Sequence, residues 1–197
     1  MLSLITGPTQ NILNETDFKD FARIDYTQDD NMIVSILRTA IGWVENETYQ
    51  DTMPRQWMQK LTGGVDEIEL DRGPIQSIDE VKYYDDFDST GTLLTESTDF
   101  RVVGSYLIHE SGYWDKMRDK DGYQVKYTTG LFTNTSTDDL RLNIFKTAAL
   151  RFANWIYENR EMYVSSVSES YQVNYNVNDV PPELGRMLRP ELRDIYL

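Results

Sequence analysis

The residues able to do chemistry are few and stand apart. His109 is the sole histidine in 197 residues and cysteine is absent, so a histidine or thiolate metal cluster and a disulfide framework are both excluded. A Ser-His-Asp relay would have to use Ser105 or Ser111, in a tight loop without the glycines of a nucleophile elbow; an exposed sheet histidine is the simpler reading. Asp86-Phe-Asp88-Ser-Thr-Gly91 opens like a calcium loop. Its twelfth position, however, is Ser97, where a bidentate carboxylate is needed, and Glu96 is one residue out of register, so a hairpin turn accounts for it better. Gly63-Gly64 has no following Lys-Ser or Lys-Thr and is not a phosphate loop. Asp29-Asp30 suits a helix start, and Arg160-Glu161 and Arg193-Asp194 suit helix ends or interface contacts. The sequence therefore predicts no catalytic, metal or cofactor site and a protein that is not an enzyme.

With chemistry set aside, charge is the strongest signal. Nineteen basic residues face 33 acidic ones, a net charge of −14. Residues 66–99 hold eleven acids against Arg72 and Lys82, while residues 180–197 balance three of each sign. Such a surface does not grip nucleic acid by neutralising phosphates, although contact with DNA stays open. The start, Met1-Leu-Ser-Leu-Ile-Thr-Gly-Pro8, lacks the basic region of a signal peptide, and no later apolar run approaches a bilayer span, so the expectation is a soluble cytoplasmic protein with no membrane partner.

Periodicity supplies the elements. Phe18, Phe21 and Ala22 share one face of a short helix over 14–25, entered through Asn14 or Thr16. Thr27-Gln-Asp-Asp30 has the form of a loose capping box before Ile33, Ile36, Leu37, Ala40, Ile41 and Val44, an apolar stripe three turns long. Between about 67 and 130 the period becomes two, with Ile68 and Leu70, Val81 and Tyr83, Phe100 and Val102, then Tyr123, Val125 and Tyr127. Turns fall at Arg72-Gly-Pro74, Asp88-Ser-Thr-Gly91 and Asp119-Lys-Asp-Gly122, so this region predicts a short-stranded antiparallel sheet.

Thr137-Asp-Asp139 starts a second long helix reaching about Arg160, with two apolar rows. Leu140, Ile144, Ala148 and Trp155 form one, and Leu142, Phe145, Ala149, Phe152 and Ile156 the other; together they span roughly 200°, wider than the stripe of a surface helix. That width suits either a central core helix or one that also packs on a neighbouring subunit through Phe145, Ala149, Phe152 and Ile156. In 165–179, Tyr171, Val173, Tyr175 and Val177 alternate with Gln172, Asn174 and Asn176, a strand-like arm able to pair with the edge of a sheet in the same chain or another. In the tail, Pro181 and Pro182 open a turn, Leu184, Met187 and Leu188 follow at helical spacing, and Pro190 is expected to stop it before Leu192, Ile195 and Tyr196 repeat the pattern. Each piece is too short to hold a helix alone, so its order must come from contacts.

The fold class expected is α+β: a small helical bundle with an inserted antiparallel β-sheet region, a strand-like arm and an extended C-terminal docking tail. In residue terms these are 1–164 with the β region at about 67–130, then 165–179, then 180–197.

Taken in order, these pieces resemble the head-to-tail connector proteins of tailed bacteriophages and gene transfer agents, also called adaptor or head-completion proteins. The resemblance lies in Thr16-Asp-Phe-Lys-Asp-Phe-Ala-Arg-Ile-Asp25 with Asp29-Asp30 and the helix through Ala40 to Glu45. It continues in Ile68-Glu-Leu-Asp-Arg-Gly-Pro-Ile-Gln-Ser-Ile78 with Val81-Lys-Tyr-Tyr-Asp85, and in Val125-Lys-Tyr-Thr-Thr-Gly130 before a helix ending Tyr157-Glu-Asn-Arg-Glu161. Leu188-Arg-Pro-Glu-Leu-Arg193 is similar to the family's ending. The chain departs from the pattern in lacking a proline in 131–139 and in carrying the polar arm.

The resemblance implies a dodecameric ring under the portal of the virion neck, assembled in the host cytoplasm after genome packaging, that extends the DNA channel and receives the tail. The implied partners are the portal protein, a stopper or tail-completion protein, further copies of the chain, and double-stranded DNA passing without sequence-specific binding. Portal docking falls to Leu184, Met187, Leu188, Arg189, Arg193, Ile195 and Tyr196, and acids of 66–99 lining a channel would repel phosphates. A tail terminator or stopper of the same neck, and more remotely a small hydrolase or ligand-binding module, are the other readings of this sequence.

Overall fold

The computed structural model describes residues 1–85, 90–116, 120–133, 139–159 and 181–192, with the side chains of 189–192 excepted. Arm residues Tyr171, Val173, Tyr175 and Val177, the first two acids of the calcium-like loop, and Arg193, Ile195 and Tyr196 lie outside that set. The chain divides into two compact units, Met1–Gln10 with Tyr49–Thr133, and Asn11–Thr48 with Asn134–Leu197.

The first unit is built of antiparallel strands: β1 Leu2–Thr6, β2 Arg55–Leu61, β3 Glu67–Glu69, β4 Ile75–Tyr83, β5 Thr92–Leu94, β6 Phe100–Val103, β7 Tyr106–His109 and β8 Tyr123–Thr129. Five of them form one sheet in the order β1-β2-β8-β4-β5 and three form another in the order β3-β7-β6. Alternation along β8 buries Tyr123, Val125, Tyr127 and Thr129, and the first three meet Ile68, Leu70, Val81, Phe100, Leu107 and Trp114 in one core. The Trp114 ring stands edge-on to Tyr123 at 5.2 Å and its indole N–H donates to the Leu107 carbonyl at 3.0 Å, so its one polar atom is satisfied inside the core.

Two strands fall outside the 67–130 range read from the sequence, and physical reasons hide both. On β2 the inward position is Gln59, 2% exposed, which donates to the Glu69 carbonyl and accepts from the Asp71 amide and the Tyr127 hydroxyl at 3.0–3.1 Å. A polar side chain buried on hydrogen bonds leaves no apolar alternation to detect. β1 carries a register irregularity between Leu4 and Thr6, which breaks its period of two. Gly63, between β2 and β3, has φ +82°, and a β-carbon there would collide with the Asp115 carbonyl and the Tyr123 ring, so the Gly63-Gly64 pair serves a tight turn.

The second unit is helical, with α1 Glu15–Ala22, α2 Asp30–Thr48, α3 Leu140–Glu158 and α4 Pro182–Leu192. Asn14 caps α1 through a reciprocal pair, its side chain accepting from the Asp17 amide at 3.0 Å while Asp17 accepts from the Asn14 amide at 2.8 Å. Only Phe18 of the expected α1 face is fully buried. Phe21 is 44% exposed, because two turns ending at a left-handed Arg23 are too short to align both rings on the bundle. The α2 stripe is buried at every position expected. Asp139 caps α3 by accepting from the Arg141 amide at 2.7 Å. The fold is thus α+β.

Candidate functional site

The tail was expected to wait for a partner. Its described part already has one in its own unit: α4 lies against α2 and α3, with Leu184 at 6% and Leu188 at 0% exposure. Two leucines four residues apart, each contributing roughly 1.5–3 kcal/mol on burial, suffice to hold an eleven-residue helix that would be marginal alone. Met187 is half-buried, its sulfur 3.7 Å from an Arg151 nitrogen, and Glu183 and Arg186 face solvent. Leu184 and Leu188 are therefore corrected from partner anchors to bundle residues. The helix also runs through Pro190 to Leu192 rather than stopping there. Proline removes the bond its N–H would make to the Arg186 carbonyl and crowds that carbonyl with its ring, both within the last turn of α4.

The inter-subunit face needs the same correction. Phe145, Ala149, Phe152 and Ile156 are all at 0% exposure, with Phe152 packed on Trp43 at 4.5 Å and stacked on Trp155 at 5.8 Å. They form the core of their own unit and have no surface left for a neighbour. What remains open on the wide arc is the other row, where Leu140 is 75% exposed and Ile144 and Trp155 are half-buried.

Polar groups concentrate in three places, none singled out by spacing. In the helical unit the Tyr157 hydroxyl donates to Asp29 at 2.6 Å and lies 2.6 Å from the Tyr26 hydroxyl, which reaches the same carboxylate at 3.3 Å. Burial first, then the hydrogen bonds to Asp29 and Tyr26, hold the Tyr157 phenol well above its ordinary range. Asp29 so engaged, and Asp30 paired with Lys19, replace the expected Thr27 capping box; Thr27 contributes its backbone carbonyl to the Asp30 amide at 3.3 Å.

In the β unit the fully buried Asp51 carboxylate accepts from the Trp57 indole at 2.6 Å and the Thr129 hydroxyl at 2.5 Å, and stands 3.4 Å from Arg55. Its backbone carbonyl takes the Leu131 amide and its amide donates to the Gly73 carbonyl. On the sheet surface Glu80 joins Lys82 at 2.8 Å and Lys126 at 2.9 Å, and those two bonds, Lys82 first, hold its carboxyl below the usual range.

His109 sits 2.7 Å from the Ser111 hydroxyl, a contact that looks like a relay until its other bonds are traced. Nδ1 accepts the Ser111 amide at 3.2 Å and the hydroxyl lies 3.1 Å from the Tyr113 carbonyl, so the pair closes a turn on its own backbone. Among the described residues no group of three or more His, Asp or Glu is placed to hold a metal ion, and no helix is long and apolar enough to cross a membrane. Asp66, Glu67, Glu69, Asp71, Asp79, Asp85 and Glu96 of the acidic region are exposed.

No protein-family model and no curated protein matches the chain. Solved structures do. A chain from the neck of an empty gene transfer agent particle, with C6 symmetry, superposes with a TM-score of 0.66 at 18% identity over 89% of both chains. One from the neck of the native particle, with C12 symmetry, gives 0.65 at 19% identity over 95% of this chain and 94% of the other. A chain from the virion of the native particle gives 0.64 at 19% identity over 92% of this chain and all of its counterpart. The fold is that of these neck and virion chains. Coverage this high spans both units, so the likeness to the gene transfer agent chains extends to the sheet and to the helices alike.

Proposed function

We propose that this chain is a structural, non-catalytic protein of the neck of a tailed phage or phage-like particle, and within the neck a head-to-tail connector. In this reading copies of the chain close into a dodecameric ring beneath the portal, extend the DNA channel and present the surface on which the tail or a stopper protein attaches. The observation that carries the reading is the likeness to neck chains over nearly the whole length of both partners. It gains support from the order of sequence motifs and from a net charge of −14 with exposed carboxylates, which suits a wall that DNA slides past without sticking.

The portal contact belongs to the end of the tail rather than to all of it. Leu184 and Leu188 serve the bundle, which leaves Arg189 and Arg193 for carboxylates on the portal and Ile195 and Tyr196 as apolar anchors. Removing residues 193–197 is expected to keep the fold, read by circular dichroism and thermal unfolding, and to abolish capture by a portal ring. Removing 180–197 should instead destabilise the helical unit. Capture by tail-tube protein but not by portal, in a pull-down with each, would assign the chain to the terminator or stopper position.

A further inference from the structure

A sheet edge that is long and unguarded invites another strand, and natural proteins blunt their edges with charge, brevity, proline or bulges. Four strands lie at the ends of the two sheets. β3 is guarded by Glu67 and Glu69, β6 by Arg101, and β5 is three residues long. β1 differs. It has five residues, the stretch from Met1 to Asn14 holds no Asp, Glu, Lys or Arg side chain, among the described residues it pairs only with β2, and its one guard is the irregularity between Leu4 and Thr6. At the Leu4/Thr6 irregularity both Leu4 and Ile5 are exposed, at 49% and 41%, so this edge carries apolar side chains open to solvent.

We infer that β1 receives the segment Tyr171–Val177 of a second copy of the chain, as an added sixth strand that links neighbours in the ring. The inference rests on the ring reading above. The occupant is argued from pattern and reach. Tyr171 to Asn178 is eight residues without a charge in a chain at −14, so it meets an uncharged edge with no repulsion. Strict alternation of Tyr and Val with Gln and Asn suits an edge that supplies backbone hydrogen bonds in the middle and apolar contacts on one face. Residues 160–180, between α3 and α4, number 21, a length that allows an excursion of at most about 35 Å out and back. Each chain offers one edge and one strand, and such a head-to-tail pairing is the kind that closes rings.

The chain lacks cysteine, which makes disulfide trapping clean. Full-length Leu4→Cys and Ile5→Cys are each mixed with Val173→Cys or Asn174→Cys and concentrated until light scattering shows rings, then oxidised. The expected result is a disulfide between unlike chains in the mixtures. A bond formed only within one chain, when both cysteines are placed on it at high dilution, would overturn the inference, as would rings that form without any cross-link. A chain that forms no rings at any concentration would count against the ring reading itself. As a second measure, Ile5→Lys adds a charged guard and should raise the concentration for half-assembly on the order of tenfold while leaving the melting temperature of the dilute chain unchanged. Unaltered assembly would contradict the strand pairing.

Discussion

The two units bury different kinds of residue. In the helical unit the interior is mostly apolar, with Phe18, Ile33, Val44, Phe145, Ala149 and Phe152; its buried polar residues are Glu45 and Thr48, and the cluster of Tyr26 with Asp29 and Tyr157 is only partly buried. In the β unit Gln50, Asp51, Thr52, Gln59 and Thr129 go inside with the aromatics. The contrast follows from how each architecture satisfies its backbone. Helices close their hydrogen bonds locally and need only an apolar stripe to pack, so their cores can be dry. A sheet assembled from distant segments must also fix which residue faces which, and buried side-chain hydrogen bonds do that at a cost if any partner is lost.

The sharpest way to break this comparison is Asp51→Ala. It removes the acceptor of the Trp57 indole and the shorter of the two Thr129 hydroxyl contacts, together with the charge beside Arg55, and the loss of a buried, hydrogen-bonded carboxylate should cost about 3–5 kcal/mol in urea unfolding. A cost below about 1 kcal/mol would mean that the polar interior of the β unit is not what fixes its register. Next comes Leu188→Ala, which opens a cavity under α4 and should cost about 2–4 kcal/mol by the same measurement. No loss there would restore the whole tail as a free docking element.

Tyr157→Phe should cost about 1.5–3 kcal/mol at neutral pH, the range for one hydrogen bond to a charged acceptor. Because the folded phenol is held above the ordinary value of 10.0, its contribution is full below pH 10 and lost as pH rises through the elevated folded value. The gap between wild type and variant should therefore close on the alkaline side. The smallest effect belongs to Glu80→Gln at the sheet surface, a few tenths of a kcal/mol. Its carboxyl is held low, so that contribution is present above the ordinary value of 4.5, fades as pH falls through the folded value, and should vanish in high salt.

The same contrast governs how much could be read from the chain. Every position of the α2 stripe and three of the four inward residues of β8, Tyr123, Val125 and Tyr127, were legible, because apolar periodicity is itself the cause of their burial; the fourth, Thr129, is polar. Asp51 was not, since it is one acid among 33 and its partners lie six and 78 residues away. Gln59 hid β2 for the same reason. On α3 the row of Phe145, Ala149, Phe152 and Ile156 is filled by its own unit, while Leu140 stays exposed and Ile144 and Trp155 are half-buried, a distinction that spacing alone does not make. For the tail, spacing showed that Leu184 and Leu188 needed a partner but was silent on whether it lay in the same chain.

One arrangement has a bearing on how the molecule comes into being. β8, the central strand that both β2 and β4 pair with, is the last of the eight described strands. Until residues 123–129 leave the ribosome, β2 and β4 have no common neighbour, and Thr129 has not yet reached Asp51. The sheet is thus completed late and by long-range pairing, a slow kind of folding that leaves strand edges bare in the meantime. A nascent chain carrying an uncharged β1 throughout that interval is expected to depend on chaperones more than its finished stability would suggest.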